Sequence, residues 1–285
     1  MELRLRSGTP ADTKDCGRIL YEAFKSIADQ HNFPPDFPSV EAATEIGTML
    51  LSHPGFYSVV AELDGKVVGS NFLDERSAIA GIGPVSVDPP MMNGAIGRQL
   101  MQAVMERATH RRFPGVRLVQ VAWHYRSLSL YTKLGFDTRE TLSAMQGKPL
   151  VINIPGYDVR PAREEDLSAC NHLCLRVHGH DRGGELLDAI RQGTATVVER
   201  LGRITGYATG IGWFHHAVAE TNHDVQALIG AAPAFLGPGF LVPSRNGELF
   251  RWCLSQGLRV VAQTTLMTMG PYNEPAGAYL PSILY

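Results

Sequence analysis

The chain has 285 residues, is 44% hydrophobic and 19% charged, and carries a formal net charge of −2. That is enough length and apolar content for one large or two ordinary globular domains, and the near-zero charge leaves no electrostatic footprint for nucleic acid or an acidic surface. Its four cysteines (Cys16, Cys170, Cys174 and Cys253) make no CxxC pair, the charged N-terminus has no leader-like apolar segment, and no apolar run reaches the roughly 18 residues of a membrane span; the expectation is a cytoplasmic protein with reduced thiols and no membrane partner.

In chain order, residues 2–6 alternate Leu3 and Leu5 with charges, as a half-buried strand does. Thr9 and Pro10 supply an N-cap and a first-turn proline for a helix whose apolar face is Cys16, Ile19, Leu20, Ala23 and Phe24. Residues 31–40 hold three prolines and read as an extended, substrate-facing loop. A second helix follows over about 40–51. Two apolar runs, 56–63 and 67–73, flank Asp64-Gly65, a hairpin signal. Residues 80–87 make the next strand, and 88–97, with two prolines and two glycines, a loop. From Ile96 the apolar positions Leu100, Met101, Val104, Met105 and Ala108 keep helical spacing until Pro114-Gly115. Residues 116–123 form another strand, 127–134 a short helix stopped by Gly135, and 137–145 a return strand.

The stretch 81–108 therefore runs strand, glycine-bearing loop, helix start. The free N–H groups and dipole of a helix N-terminus favour an anion, and Gly94, Ala95 and Gly97 are small enough to let a phosphate approach the backbone. The strand before it belongs to a hairpin and not to a βαβ unit, which argues against a dinucleotide fold.

The element order is α+β. Together with VSVDPPMMNGAIGRQLM and YRSLSLYTKLGF, it resembles the GNAT superfamily of acyl-CoA N-acyltransferases. In that family a strand ending in V-x-P leads to a loop Q/R-x-x-G-x-G/A. Met92, Asn93, Gly94, Ala95, Ile96 and Gly97 occupy those six positions, with Met92 where Gln or Arg is usual. The second motif, N-x-x-A-x-x-L-Y-x-K-L-G-F, is met by His124, Ser127, Leu130 and residues 131–136, with His124 in place of Asn. The resemblance implies acetyl-CoA as donor, its pantetheine arm inserted like an extra strand at a split near Val85, Ser86 and Val87. It implies a pyrophosphate on the backbone of Asn93 to Arg98, coenzyme contacts from His124 and Ser127, and Tyr131 as general acid. Glu62, Asp74, Glu75 and His124 remain open as the general base.

Pro155-Gly156 marks a boundary, and the chain then begins again. Residues 160–166 echo 6–12. Leu167, Cys170, Cys174 and Val177 share a helical face; a helix over 184–191, strands over 195–200 and 204–214, and a helix near 221–232 follow. Residues 244–258 mirror 124–136, with Asn246 opposite His124 and Cys253 opposite Tyr131. This is an internal repeat, read as a degenerate second GNAT-like domain without a phosphate cradle. The expectation is two domains, 1–152 and 157–285, each a mixed, mostly antiparallel sheet flanked by helices. The apolar C-terminal run, 266–285, reads as a strand and a packed tail. His178-Gly179-His180, His215-His216 and His223 match no metal-ligand spacing, so no metal is expected; the loop at 178–184 is a candidate acceptor contact. The acceptor is read as a small-molecule amine, and the protein as a monomer or homodimer that binds no nucleic acid. A non-catalytic acyl-CoA sensor is the alternative, favoured by Met92 and His124.

Overall fold

The first strand, β1 (Leu3–Ser7), leads into a single 3-10 turn at Pro10–Asp12 and then α1 (Thr13–Gln30). The computed structural model describes residues 3–92 and 94–285; Asn93 and Glu2, both named in the sequence reading, lie outside the described residues. Ser39 caps α2 (Val40–Ser52) by accepting a hydrogen bond from Ala42 N. β2 (Phe56–Leu63) and β3 (Lys66–Asp74) turn at Asp64 and Gly65, with φ of 49° and 79°. That mirror-image turn matches the twist of the two strands.

The strand expected over 80–87 is interrupted. β4 (Ala80–Ile82) and β5 (Ser86–Val87) are separated by Gly83, at φ 128°, Pro84 and Val85. Pro84 has no N–H for a ladder, so an apolar run that reads as one strand becomes two. α3 (Ile96–His110), β6 (Val116–Val121), α4 (Tyr125–Lys133) and β7 (Asp137–Gln146) complete the first copy. Gly135, at φ 100°, supplies the left-handed residue that ends α4.

The second copy repeats the order: β8 (Asp158–Pro161), α5 (Leu167–His178), α6 (Gly183–Arg191), β9 (Thr196–Arg200), β10 (Arg203–Ala208), β11 (Ala217–Ala219), α7 (Asn222–Ala231), β12 (Phe240–Pro243), α8 (Gly247–Ser255) and β13 (Arg259–Met269). β14 (Ala278–Leu280) is added at the end. Three points differ from the sequence reading. The strand expected over 204–214 stops at Ala208, because Gly210 turns the chain at φ 146°. β11 and β12 fill stretches that had no assignment, and the tail yields a further strand, β14.

The repeat extends to individual side chains. Arg6 grips Asp12 with two hydrogen bonds of 2.9 and 2.7 Å and also reaches Glu62. Arg160 grips Asp166 with 2.7 and 2.9 Å and reaches Glu199. Each carboxylate also accepts a backbone N–H three residues upstream, at 2.8 Å from Thr9 and 2.8 Å from Arg163. The hairpin turns match as well: Leu201 and Gly202 sit at φ 53° and 73°.

Two compact units divide the chain. The first holds Met1–Glu75, Ile79–Leu118 and Leu284. Its strands run β1-β2-β3-β4-β6, with β4 parallel to β6 at Ala80↔Val116, and β5 pairs with β3. Ile19, Leu20, Leu50, Val60, Phe72, Leu100, Met101 and Val104 fill its core.

The second unit holds Arg76–Ala78, Val119–Ile283 and Tyr285. It contains the sheet β14-β11-β10-β9-β8 and the strands β13-β7-β12. The units divide after Leu118, not between the copies, for a reason visible in the ladders. β7, from the first copy, pairs with β13 on one edge (Arg259↔Gln146 through Thr268↔Asp137) and with β12 on the other (Phe240↔Met145 through Pro243↔Leu142), both from the second copy. One core cluster packs α7, α8 and Met145; another packs α5 and α6 on β9, β10 and β11. All four cysteines are buried and free, and burial pushes the Cys253 thiol up to about 12. No helix among the described residues is long and apolar enough to cross a membrane.

Candidate active site

The first unit assembles residues 85–92 and 94–98 around the break between β4 and β5. β5 pairs with β3 at Ser70↔Ser86 and Gly69↔Val87. The approach needs glycine: a Cβ at Gly69 would stand 2.8 Å from Ser86 O. The Ser86 side chain is buried, its Oγ 3.1 Å from Ser70 Oγ. Among the described residues no strand pairs with the other edge of β5, so main-chain groups of the segment 85–87 remain available for an extended ligand. Val85 and Val87 are half-buried on either side.

Ala95 opens α3 in the left-handed conformation, φ 62°, with no side-chain cap. The first-turn N–H groups of Ile96, Gly97 and Arg98 have no intrahelical acceptor. Gly94, Ala95 and Arg98 are exposed, Met92 is half-buried, and the first turn contains no acidic residue. A cation in the first turn opposes the helix dipole unless an anion is bound there, so Arg98 and the uncapped N–H groups call for the same occupant. A Cβ at Gly97 would meet only Val87 Cγ2, at 3.7 Å, so packing does not demand glycine there; its absence keeps the backbone approachable.

The second unit assembles His124, Ser127 and Tyr131 on α4. His124 stands at the N-cap (φ −86°, ψ 74°) with its Nδ1 2.6 Å from Ser127 Oγ. Tyr131 is buried one turn further on, edge-on to Phe136 with ring centroids 6.3 Å apart. Burial pushes its phenol up to about 12, against a downward pull from the Ser127 hydroxyl. The phenol therefore stays protonated throughout the physiological range. In the second copy Asn246 caps α8 with nearly the same backbone (φ −76°, ψ 69°) by accepting from Leu249 N, and the buried Cys253 stands where Tyr131 does.

Of the base candidates, Glu62 is tied to Arg6, and Glu75 to Arg107 (2.7 Å) and Arg111 (3.6 Å); Asp74 is buried at the end of β3. A group that periodicity and motif matching passed over is Asp36, in the loop between α1 and α2. It is half-buried beside Phe37, which packs edge-on against Phe24. It makes no hydrogen bond or ion pair among the described residues, and burial raises its carboxyl to about 6. Nothing in the sequence flags it, because the effect comes from loop packing. The histidines take structural places: His178 packs edge-on against Tyr279, 5.0 Å between centroids, and His216 lies 3.2 Å from the Tyr207 hydroxyl and 3.3 Å from Glu185.

Residues 19–136 match the family model of the acetyltransferase (GNAT) family. None of the curated proteins matches the chain. Several solved structures share its fold over nearly the whole length. A candidate acetyltransferase from Pyrococcus horikoshii has 18% identity over 97% of this chain and 94% of its own, with a TM-score of 0.74. A GCN5-related N-acetyltransferase from Sphaerobacter thermophilus has 15% identity over 97% and 98%, at 0.61. A tandem GNAT protein from the clavulanic acid biosynthesis pathway has 15% identity over 95% and 100%, at 0.59. The shared architecture is two GNAT-like domains of mixed, mostly antiparallel sheet.

Proposed function

We propose, for a chain whose residues 19–136 match the model of the acetyltransferase (GNAT) family, that it moves an acetyl group from acetyl-CoA to the primary amine of a small molecule by direct attack. Acyl-CoA-dependent N-acyl transfer is the reaction of the family; the acceptor class, the acid and the single coenzyme site are our reading. We take the copies as 1–152 and 157–285, with acetyl-CoA held by the first.

A neutral amine attacks the thioester carbonyl, an oxyanion forms, and collapse expels a thiolate. The pantetheine arm lies along the segment Val85, Ser86 and Val87, where an outward N–H polarises the carbonyl as a small oxyanion hole. The pyrophosphate rests on the start of α3, on N–H groups of Gly94 to Arg98, with the Arg98 guanidinium adding a charge-assisted contact. His124 and Ser127 serve the coenzyme side of α4.

Tyr131 donates to the departing sulfur. A phenol held at about 12 is a weaker acid than a thiol near 8.5. Tyr131 therefore stabilises the developing thiolate by a hydrogen bond, and its proton passes to the sulfur only in concert with a replacement proton reaching the phenol. Ser127 and His124, 2.6 Å apart, form a line along which a proton returns to it. Asp36, with its charge unspent and its carboxyl at about 6, is the group we assign to take the amine proton, directly or through water.

The observation that carries this reading is the open edge of β5 beside an uncapped helix start. The test is calorimetry with acetyl-CoA followed by a screen of amines for thiol release. Binding together with turnover on a small amine supports the enzyme. Binding without turnover across a broad panel supports the sensor, which Met92 and His124 favour.

A further inference from the structure

The two copies can be aligned through their ladders without appeal to sequence. In the first, Gly69 on β3 pairs with Val87, and Ser70 with Ser86. In the second, Gly206 on β10 pairs with Ala219, Tyr207 with Val218, and Ala208 with Ala217. Both glycines sit where a Cβ would collide across the ladder: at 2.8 Å from Ser86 O in the first copy and 2.9 Å from Ala219 Cβ in the second. Residues 217–219 are therefore the counterparts of 85–87.

What lies on the far edge differs. In the first copy that edge carries no strand among the described residues. In the second it carries β14, paired antiparallel at Ala217↔Leu280, Val218↔Tyr279 and Ala219↔Ala278. β14 also packs on β12. Its entry is fitted to the site: a Cβ at Gly277 would stand 2.5 Å from Ala219 O and 3.0 Å from Val177 Cγ2. Ala276 N donates to Val177 O at 2.8 Å, and the Tyr279 hydroxyl donates to Glu140 Oε2 at 3.3 Å.

The helix start is closed as well. Residues 88–95 separate β5 from α3, whereas only 220 and 221 separate β11 from α7. The loop that exposes N–H groups in the first copy has no counterpart. Thr221 and Asp224 cap α7 reciprocally: Asp224 Oδ2 accepts from Thr221 N at 3.0 Å, and Thr221 Oγ1 accepts from Asp224 N. A cavity of about 410 Å³ remains at this mouth, lined among others by Glu220, Thr221 and Tyr279.

We propose that β14 is a resident stand-in for the acyl-CoA arm: the chain's own peptide occupies, in the second copy, the edge that the coenzyme takes in the first. This rests on the coenzyme reading of residues 85–98. Hydrogen exchange of the full-length chain, with and without saturating acetyl-CoA, separates the two claims. The expected result is that amides at 85–88 slow by about tenfold or more on adding acetyl-CoA, while those at 217–220 are slow already and do not change. Slowing at both segments, or fast exchange at 217–220 in the free chain, overturns the stand-in alone. No slowing at 85–88 overturns the coenzyme reading and the stand-in with it. Gly277→Val is expected to speed exchange at 217–220 by about tenfold or more and to leave the acetyl-CoA response at 85–88 in place. Unchanged protection in that variant contradicts the proposal. Tyr279→Ala, which removes the bond to Glu140 without adding bulk, gives the same direction with a smaller loss if the valine variant does not fold.

Discussion

At Gly69 and at Gly206 the chain builds the same ladder, turns it through the same left-handed pair of residues, and braces it with the same arginine–aspartate grip. Beyond that ladder the copies diverge. The first ends in an interrupted strand, a glycine-bearing loop and an uncapped helix with Arg98 in its first turn. The second ends in a filled edge, a two-residue link and a helix capped by its own carboxylate. Conserving scaffold and conserving chemistry are thus separate demands. A core and its salt bridges keep a copy folded; a binding site also needs main-chain groups left unsatisfied in the free protein.

The contrast between Tyr131 and Cys253 gives the largest expected effect. Tyr131→Phe should lower kcat by about 10²-fold or more and leave acetyl-CoA affinity nearly unchanged, whereas Cys253→Ser should leave kcat at the wild-type value. Steady-state thiol release with each variant checks this, and equal rates for Tyr131→Phe and wild type would remove the acid assignment.

Next in size is the shared brace. Arg6→Ala and Arg160→Ala each strand a carboxylate that is nearly buried, so each should lose about 2 kcal/mol of stability, and by similar amounts, in denaturant unfolding. The Arg6 guanidinium holds Asp12 down at about 2. That contribution is fully present above the ordinary carboxylate value near 3.9 and is lost as pH falls through about 2. Unequal losses would weaken the claim that the copies share one scaffold.

The helix starts give a smaller, opposite pair. Ala95→Asp should weaken acetyl-CoA binding by about tenfold, since it adds an anion where an anion binds. Thr221→Ala should cost about 1 kcal/mol of stability through the lost cap without altering coenzyme affinity.

The smallest effect on stability concerns Asp36, whose removal also lowers turnover because it is the group assigned to take the amine proton. Its carboxyl is raised to about 6, so the native state holds its proton more tightly than the unfolded chain does. Stability should fall as pH rises from about 4 to about 6. Asp36→Asn should abolish that slope and gain about 1 kcal/mol at pH 7, and should flatten the acidic limb of the rate profile.

Much of this was legible in the residues. Asp64-Gly65 gave the hairpin, Pro114-Gly115 the end of α3, and the echo of Arg6 and Asp12 in Arg160 and Asp166 the repeat. The loop at 92–97 and the spacing from His124 to Phe136 carried the resemblance to the GNAT family, whose model matches residues 19–136. What escaped was decided by distant partners. The run 80–87 is apolar throughout and reads as one strand, and only Gly83 and Pro84 mark the break. β11 and β14 are three residues each, too short for a period, and exist because they pair with one another. That the last strand fills the second copy's edge is a fact about register, and register between segments some 60 residues apart is not written in either of them.

The central claim is that one edge is open and its counterpart is filled. Calorimetric titration of the full-length chain with acetyl-CoA tests it most directly. The account predicts one acetyl-CoA bound per chain, with affinity weakened by Ala95→Asp. Two acetyl-CoA molecules per chain, or a single site indifferent to Ala95→Asp, would contradict it.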